Sequence, residues 1–315
     1  MPQFDIVGIG QNATDTLLLL PKFPAYAGKV PFAQEILSPG GQVASAMVAC
    51  AQLGLRAKYI GTVGDDERGR IQIESLAGLG INLDDVEIRK NTPNQTAYIL
   101  IDQTTGERTV LWQRSERLYL GPEIITAEKI VDARMVFFDA QDTAAVGKAA
   151  EIARAHSIPV TVDVDTIYHG FDKVLPNIDY LVTSSEFPIQ WTSERDPYKA
   201  LAMIRGEYKM RVAAMTLGAH GSLALTDDGY TYSPAFVVNC VDTTGAGDVF
   251  HGAFCYSVLQ GMSIRDTLEF SNAMAALNCT ALGARGRIGT MEQARALMAR
   301  SERRAHRDYE SAAHT

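Results

Sequence analysis

The chain has no Cys-x-x-Cys pair. Its four cysteines, Cys50, Cys240, Cys255 and Cys279, stand far apart in apolar surroundings. That spacing speaks against a disulfide framework or a thiolate metal site and fits free thiols in a reducing compartment, the cytoplasm. His156, His169, His220 and His251 are scattered, so no His/Cys ligand cluster is expected. A basic excess is also missing: 29 Lys and Arg stand against 37 Asp and Glu, a net charge of −8, which makes nucleic acid a poor partner. No apolar run approaches membrane-spanning length, and the densest, Thr16 to Leu20, is far too short. The opening Phe4-Asp5-Ile6-Val7-Gly8-Ile9-Gly10 has no basic segment ahead of it and reads as a first strand, not a signal peptide. Internal repeats and low-complexity tracts are absent.

What is present is an ordinary globular balance over 315 residues, 46% hydrophobic and 21% charged, enough for a large core. Short β-branched or aromatic runs at Ala57 to Val63, Met135 to Asp139, Pro159 to Val164, Tyr180 to Thr183 and Val212 to Leu217 predict buried strands. Helical patterns such as Val43 to Leu53 and Thr143 to Ala155 alternate with them, which argues for a parallel sheet covered on both faces. Two stretches break the rhythm. Pro21, Pro24 and Pro31 forbid a continuous helix over Thr16 to Leu37, and Thr96 to Trp112 reads as a β-hairpin around Gln103-Thr104-Thr105-Gly106. These extended pieces predict a small separate sheet lying over the main domain as a lid. The expected division is an α/β core of residues 1–15, 38–94 and 113–300, a β lid of 16–37 and 95–112, and a charged tail of 301–315 that frays.

Near the carboxyl end stands Val241-Asp242-Thr243-Thr244-Gly245-Ala246-Gly247-Asp248, followed by the apolar helical stretch Val249 to Leu259. A Gly-Ala-Gly turn opening a helix lets backbone N–H groups converge on an anion at the positive end of the helix dipole. Asp248, in the first turn, is placed to take a proton from a hydroxyl lined up on that anion.

The string Asp-Thr-Thr-Gly-Ala-Gly-Asp resembles the second signature of the ribokinase-like (PfkB) carbohydrate kinases. The resemblance implies a ribokinase-like three-layer α/β sandwich with a mostly parallel central sheet and a β-sheet lid, and an enzyme that moves the γ-phosphate of ATP to a hydroxyl of a small sugar. It implies Asp248 as general base and Gly245, Ala246 and Gly247 as the anion hole. Ser38-Pro39-Gly40-Gly41-Gln42-Val43-Ala44-Ser45 resembles the first signature, so Gly40, Gly41, Gln42 and Ser45 would lie against the sugar. Gly10-Gln11-Asn12-Ala13-Thr14-Asp15 matches the opening Gly-x4-Asp, with Asp15 on sugar hydroxyls. Thr216-Leu217-Gly218-Ala219-His220-Gly221 is similar to the nucleotide loop, giving Thr216, Gly218 and Gly221, and Asn272 falls on the helix bordering the purine. Ser185 occupies the position of another nucleotide-side residue. The family's cofactors, ATP and Mg2+, are implied, together with a monovalent cation, K+, at Asp242, Thr244 and the Gly283 to Gly289 loop. Free lid edges favour a homodimer through the lid.

The chain also departs from that pattern. The family's Asn-x-x-Glu motif, which organises magnesium and phosphate, reads Ser185-Glu186-Phe187-Pro188 here. The usual asparagine after the Gly-Gly pair is Ser45, and a common Asp-x-Asn-x-Arg segment reads Asp163-Val164-Asp165-Thr166-Ile167. These losses resemble the ketohexokinase branch, in which Gly106-Glu107-Arg108-Thr109 would put Arg108 on the substrate and Asp139 near the sugar. Three rivals stand beside the sugar kinase. A non-catalytic sugar- or nucleotide-binding regulator is supported by the lost Asn-x-x-Glu, a nucleoside kinase would need a larger aromatic lid, and the Gly8-x-Gly10-x-x-Ala13 fingerprint of a dinucleotide fold is followed by a run stopped at Pro21 rather than by a helix.

Overall fold

The computed structural model describes residues 2–300 and 302–304. Its strands are β1 (Ile6–Ile9), β2 (Ala13–Leu20), β3 (Gln34–Gly40), β4 (Ala57–Gly64), β5 (Val86–Arg89), β6 (Thr96–Asp102), β7 (Arg108–Gln113) and β8 (Val136–Asp139). Then come β9 (Val160–Val164), β10 (Tyr180–Ser184), β11 (Val212–Thr216), β12 (Ser222–Thr226), β13 (Gly229–Ser233), β14 (Ala235–Phe236) and β15 (Arg303–Arg304). The helices are α1 (Gln42–Gln52), α2 (Glu67–Ala77), α3 (Ala127–Ile130), α4 (Thr143–Ala155), α5 (Glu186–Thr192), α6 (Pro197–Tyr208), α7 (Ala246–Leu259), α8 (Ile264–Asn278) and α9 (Met291–Arg300).

Nine strands form the central sheet in the order β13-β12-β11-β10-β9-β8-β1-β4-β5. Pairing is parallel from β5 across to β11 and antiparallel only where β12 and β13 finish the edge. Strands β1, β8 and β9 are buried along their whole length, as a sheet covered on both faces requires. Successive side chains point to opposite layers. Val136 and Phe138 pack with Ala145, Ala149 and Ala153 of α4, while Phe137 packs with Val43 and Met47 of α1. Helix starts follow local chemistry: the Asp66 carboxylate accepts the Gly69 N–H at the start of α2, and Asp196, ahead of Pro197, caps α6.

A second, four-stranded sheet has the order β3-β2-β6-β7. Strands β2 and β6 pair in parallel, Thr14 opposite Thr96 through Leu20 opposite Asp102, and Leu17, Ala97, Ile99 and Ile101 form its own small core. The proline-rich stretch between Leu20 and Gln34 is irregular, as its prolines dictate. Of the tail expected to fray, Arg303 and Arg304 pair antiparallel with β14, and the Arg303 guanidinium lies 3.7 Å from the centroid of the Phe236 ring. Residues 305–315 lie outside the described part.

Candidate active site

Strand β1 has β8 on one side and β4 on the other, so the order reverses between β1 and β8. Chains leaving the carboxyl ends of these two strands diverge and open a crevice, the usual ligand site of such sheets. At its base the Gln11 N–H donates to Asp139 Oδ2 at 2.7 Å and the Gln141 N–H donates to Oδ1 at 3.0 Å. Burial nonetheless pushes the Asp139 carboxyl up to about 7. Beside it the Arg114 guanidinium forms a fork on Asp142, at 2.6 and 3.0 Å.

Asp15 is carried on β2, the strand that runs from the crevice into the lid, and is 4% exposed. Gly40 ends β3 against it: a Cβ on Gly40 would meet Asp15 Oδ2 at 2.1 Å, so only glycine admits the carboxylate there. Burial raises Asp15 to about 7, Asp248 adds to the shift, and Arg285 and Arg68 oppose it. The charge of Asp248 therefore reaches Asp15.

The loop before α7 is held by Asp242, which is fully buried and accepts the Thr244 N–H at 2.8 Å and the Gly283 N–H at 2.7 Å. Gly245 caps α7 at φ 75°, and a Cβ on it would lie 2.4 Å from Ala284, so the loop packs directly on the 283–286 turn. At Gly247 the space a side chain would fill is open. Asp248 follows in the first turn of α7, and desolvation raises it to about 7, with Asp163 adding and His251, Arg108 and Arg285 opposing. His251, one turn on, is buried against Phe137 and Phe250; its Nδ1 donates to the Gly247 carbonyl at 2.7 Å. Burial lowers its pKa, and its bond to the Gly247 carbonyl braces the first turn.

In front of this helix end lies a cavity of about 480 Å³. Gly245, Ala246, Gly247 and Asp248 at the start of α7 line it, together with Thr216, Gly218, Gly221, Asn272, Gln42, Arg108 and Asp165. Asn272 has its amide donor engaged with Ser233, at 2.9 and 3.1 Å. Arg304 of β15 also reaches the wall. Ser184 lines the cavity in place of the expected Ser185, which sits at the start of α5. Asp15, Gly40, Gly41, Ser45 and Asp139 are not among the residues lining it. Asp242 and Thr244 lie behind the loop, where Thr244 Oγ1 and Asn278 Oδ1 are buried without hydrogen-bond partners.

Arg285 was missed in the sequence reading. Its Nε donates to Ser45 Oγ at 3.2 Å, Nη1 to Ser75 Oγ at 2.8 Å, and Nη2 to the Gly40 carbonyl at 2.7 Å and Gln72 Oε1 at 3.0 Å. Nothing in Gly283-Ala284-Arg285-Gly286-Arg287 distinguishes it from Arg287, which is exposed.

The family description "pfkB family carbohydrate kinase" matches residues 8–290. An ATP-dependent ribose-1-phosphate kinase of Halopiger xanaduensis is 30% identical over 290 residues, covering 89% of this chain and 93% of that protein. A provisionally assigned ribokinase from Agrobacterium tumefaciens superposes with a TM-score of 0.87 at 27% identity, over 94% of this chain and 97% of the other. Arabidopsis thaliana ribokinase, solved with ribose and ATP, superposes with a TM-score of 0.75 at 20% identity, over 94% and 98%.

Proposed function

Because the chain belongs to the pfkB family of carbohydrate kinases, we propose that it moves the γ-phosphate of ATP to a hydroxyl of a small sugar or sugar phosphate, with Asp248 as general base. The observation that carries this reading is the pairing of an open, glycine-edged helix start with a carboxylate one residue later, both lining one cavity. Phosphoryl transfer needs alignment and charge stabilisation more than covalent chemistry. The N–H groups of Gly245 and Gly247 serve the transferring group, while the Ala246 N–H donates to the Thr243 carbonyl at 3.2 Å and holds the turn, and Asp248, poised near neutrality, takes the hydroxyl proton. Asp15 and the turn at Gly40 and Gly41 hold the acceptor; Thr216, Gly218 and Gly221 border the nucleotide. Arg108 closes over the substrate from the lid.

Magnesium bound with ATP neutralises phosphate charge, and the exposed Asp165 carboxylate on the cavity wall is a hard oxygen donor suited to it. Behind the loop, Asp242, Thr244 Oγ1 and Asn278 Oδ1 supply oxygens that suit a monovalent cation such as K+, and two of them lack any other partner. Cys50, Cys240, Cys255 and Cys279 are all free, in keeping with a cytoplasmic setting.

The lid leaves Leu111 and Trp112 of β7 more than half exposed along with an unpaired strand edge, which favours a dimer through this sheet. Sedimentation velocity should give twice the monomer mass; a monomer at micromolar concentration removes that part of the reading. The activity is tested by ADP release from Mg-ATP with a panel including D-ribose, D-ribose 1-phosphate, D-fructose and adenosine. Turnover is expected with a sugar. Fastest turnover with adenosine, or binding of sugar and ATP analogue with no turnover on any acceptor, overturns it.

A further inference from the structure

Three segments of the site come from distant parts of the chain: the Gly40–Ser45 turn, helix α2, and the loop from Asp242 to Asp248. One side chain reaches toward all of them. Arg285 bonds Gly40 and Ser45 on the first, Gln72 and Ser75 on the second. Its own turn is fixed to the third by the Gly283 N–H on Asp242 and by the close seat of Ala284 on Gly245. All four of its hydrogen-bond acceptors are neutral, so none of them cancels the guanidinium charge. Gly40, which takes one of these bonds, is also the residue whose Cα abuts the Asp15 carboxylate.

We propose that Arg285 is a positioning residue for phosphoryl transfer: it clamps the acceptor-side turn and α2 to the anion-hole loop and supplies the uncancelled positive charge that acts on Asp15 and Asp248. A lysine keeps the charge and loses the fork; a glutamine loses the charge and keeps part of the hydrogen bonding. The groups that bear on Asp15 are Asp248, Arg285, Arg68 and Asp242, and those on Asp248 are Asp163, His251, Arg108 and Arg285. Burial draws Arg285 down to about 10, with the charges of Asp15, Asp248 and Tyr59 opposing, so it stays charged throughout the range in which the carboxylates titrate.

The proposal rests on the kinase reading for its kinetic test, and a second readout needs no turnover. With Mg-ATP and the best acceptor among D-ribose, D-ribose 1-phosphate and D-fructose, Arg285→Gln should move the acid limb of kcat/KM upward by about half a pH unit or more. Arg285→Lys should leave that limb near the wild-type position while raising the acceptor KM several-fold, roughly threefold or more. In thermal melts without ligand, carboxylates driven higher by loss of the charge keep binding protons in the folded state to higher pH, so Arg285→Gln should lose more melting temperature between pH 7 and 8.5 than the wild type does. A limb and a melting slope unchanged in Arg285→Gln overturn the proposal, as does an equal shift in both variants. If Arg285→Gln does not fold, Arg285→Lys decides: wild-type KM and wild-type limb together overturn the clamp. Absence of turnover in the wild type condemns the kinase reading alone, and the melting slopes still judge Arg285.

Discussion

Arg108, on lid strand β7, donates from Nη1 to the hydroxyl of Thr243 at 2.9 Å, and so joins the lid to the loop that leads into α7. The Thr243 N–H and hydroxyl in turn donate to the Gly106 carbonyl at the hairpin tip, at 3.1 and 3.2 Å. The lid is thus latched against the loop ahead of α7 by its own turn.

Arg108→Ala removes one strand of this latch and a cation from the cavity wall. The exposed bond to Thr243 contributes little to stability, whereas losing a charge-assisted hydrogen bond from Arg108 to the substrate, at the low end of about 1.5 to 3 kcal/mol, should lower kcat/KM roughly tenfold. The melting temperature should hardly move, since exposed substitutions usually stay within about 0.5 kcal/mol. Unchanged kinetics would show a solvated hairpin charge.

Asp248→Asn keeps size and hydrogen bonding but cannot accept the proton. Loss of a general base costs about 10²- to 10⁴-fold in rate. Steady-state kcat beside calorimetric binding of sugar and ATP analogue checks this. A fall of less than about tenfold would mean that another group takes the proton.

Gly247→Ala separates stability from function. The residue is helical and its side-chain space is empty, so alanine should stabilise α7 by about 0.5 to 1 kcal/mol. The new methyl occupies the approach of the transferring phosphoryl group, and kcat should drop on the order of 10²-fold or more, as for a lost anion-hole donor. Full activity with a raised melting temperature would place the phosphate elsewhere.

The pH dependence has a defined sign. Asp15, Asp139 and Asp248 are each raised from 3.8 to about 7 in the folded protein. Between these limits the folded state binds more protons than the unfolded chain, so their contribution to stability falls as pH rises through the window and is flat above it. Asp5, lowered to about 2 by Arg56, acts oppositely and only at lower pH. Melting curves from pH 4.5 to 8 should show Asp139→Asn losing less stability across the window than the wild type. Over the same range kcat/KM should rise through about pH 7 as Asp248 ionises; an acid limb near 4 would contradict the assigned base.

The sequence made the central sheet, the lid hairpin, the helix at Asp248 and the loops at Gly40 and Gly218 legible because each rests on local chemistry: β-branched runs, prolines, or glycines at turns. Arg285 and the Arg114–Asp142 fork were not legible. Their partners lie between 28 and 245 positions away in the chain, and no local signal marks an arginine that will be drawn inward. Which of Ser184 and Ser185 lines the cavity was likewise not legible: Ser184, the last residue of β10, does, and Ser185 stands at the N-cap of α5.

The parallel contact of β2 with β6 also bears on how the chain acquires its shape. Thr96 donates its hydroxyl to the Thr14 carbonyl across 82 positions, so the lid's central pair can close only after the intervening α1, β4, α2 and β5 have shortened that loop. Long-range pairings of this kind pay their chain-closure entropy before they are rewarded. The β2–β6 ladder should therefore form later than the β1–β4 ladder, whose partners stand about 51 positions apart, with its amides gaining pulse-labelling protection after those of β1 and β4; simultaneous protection would contradict that order.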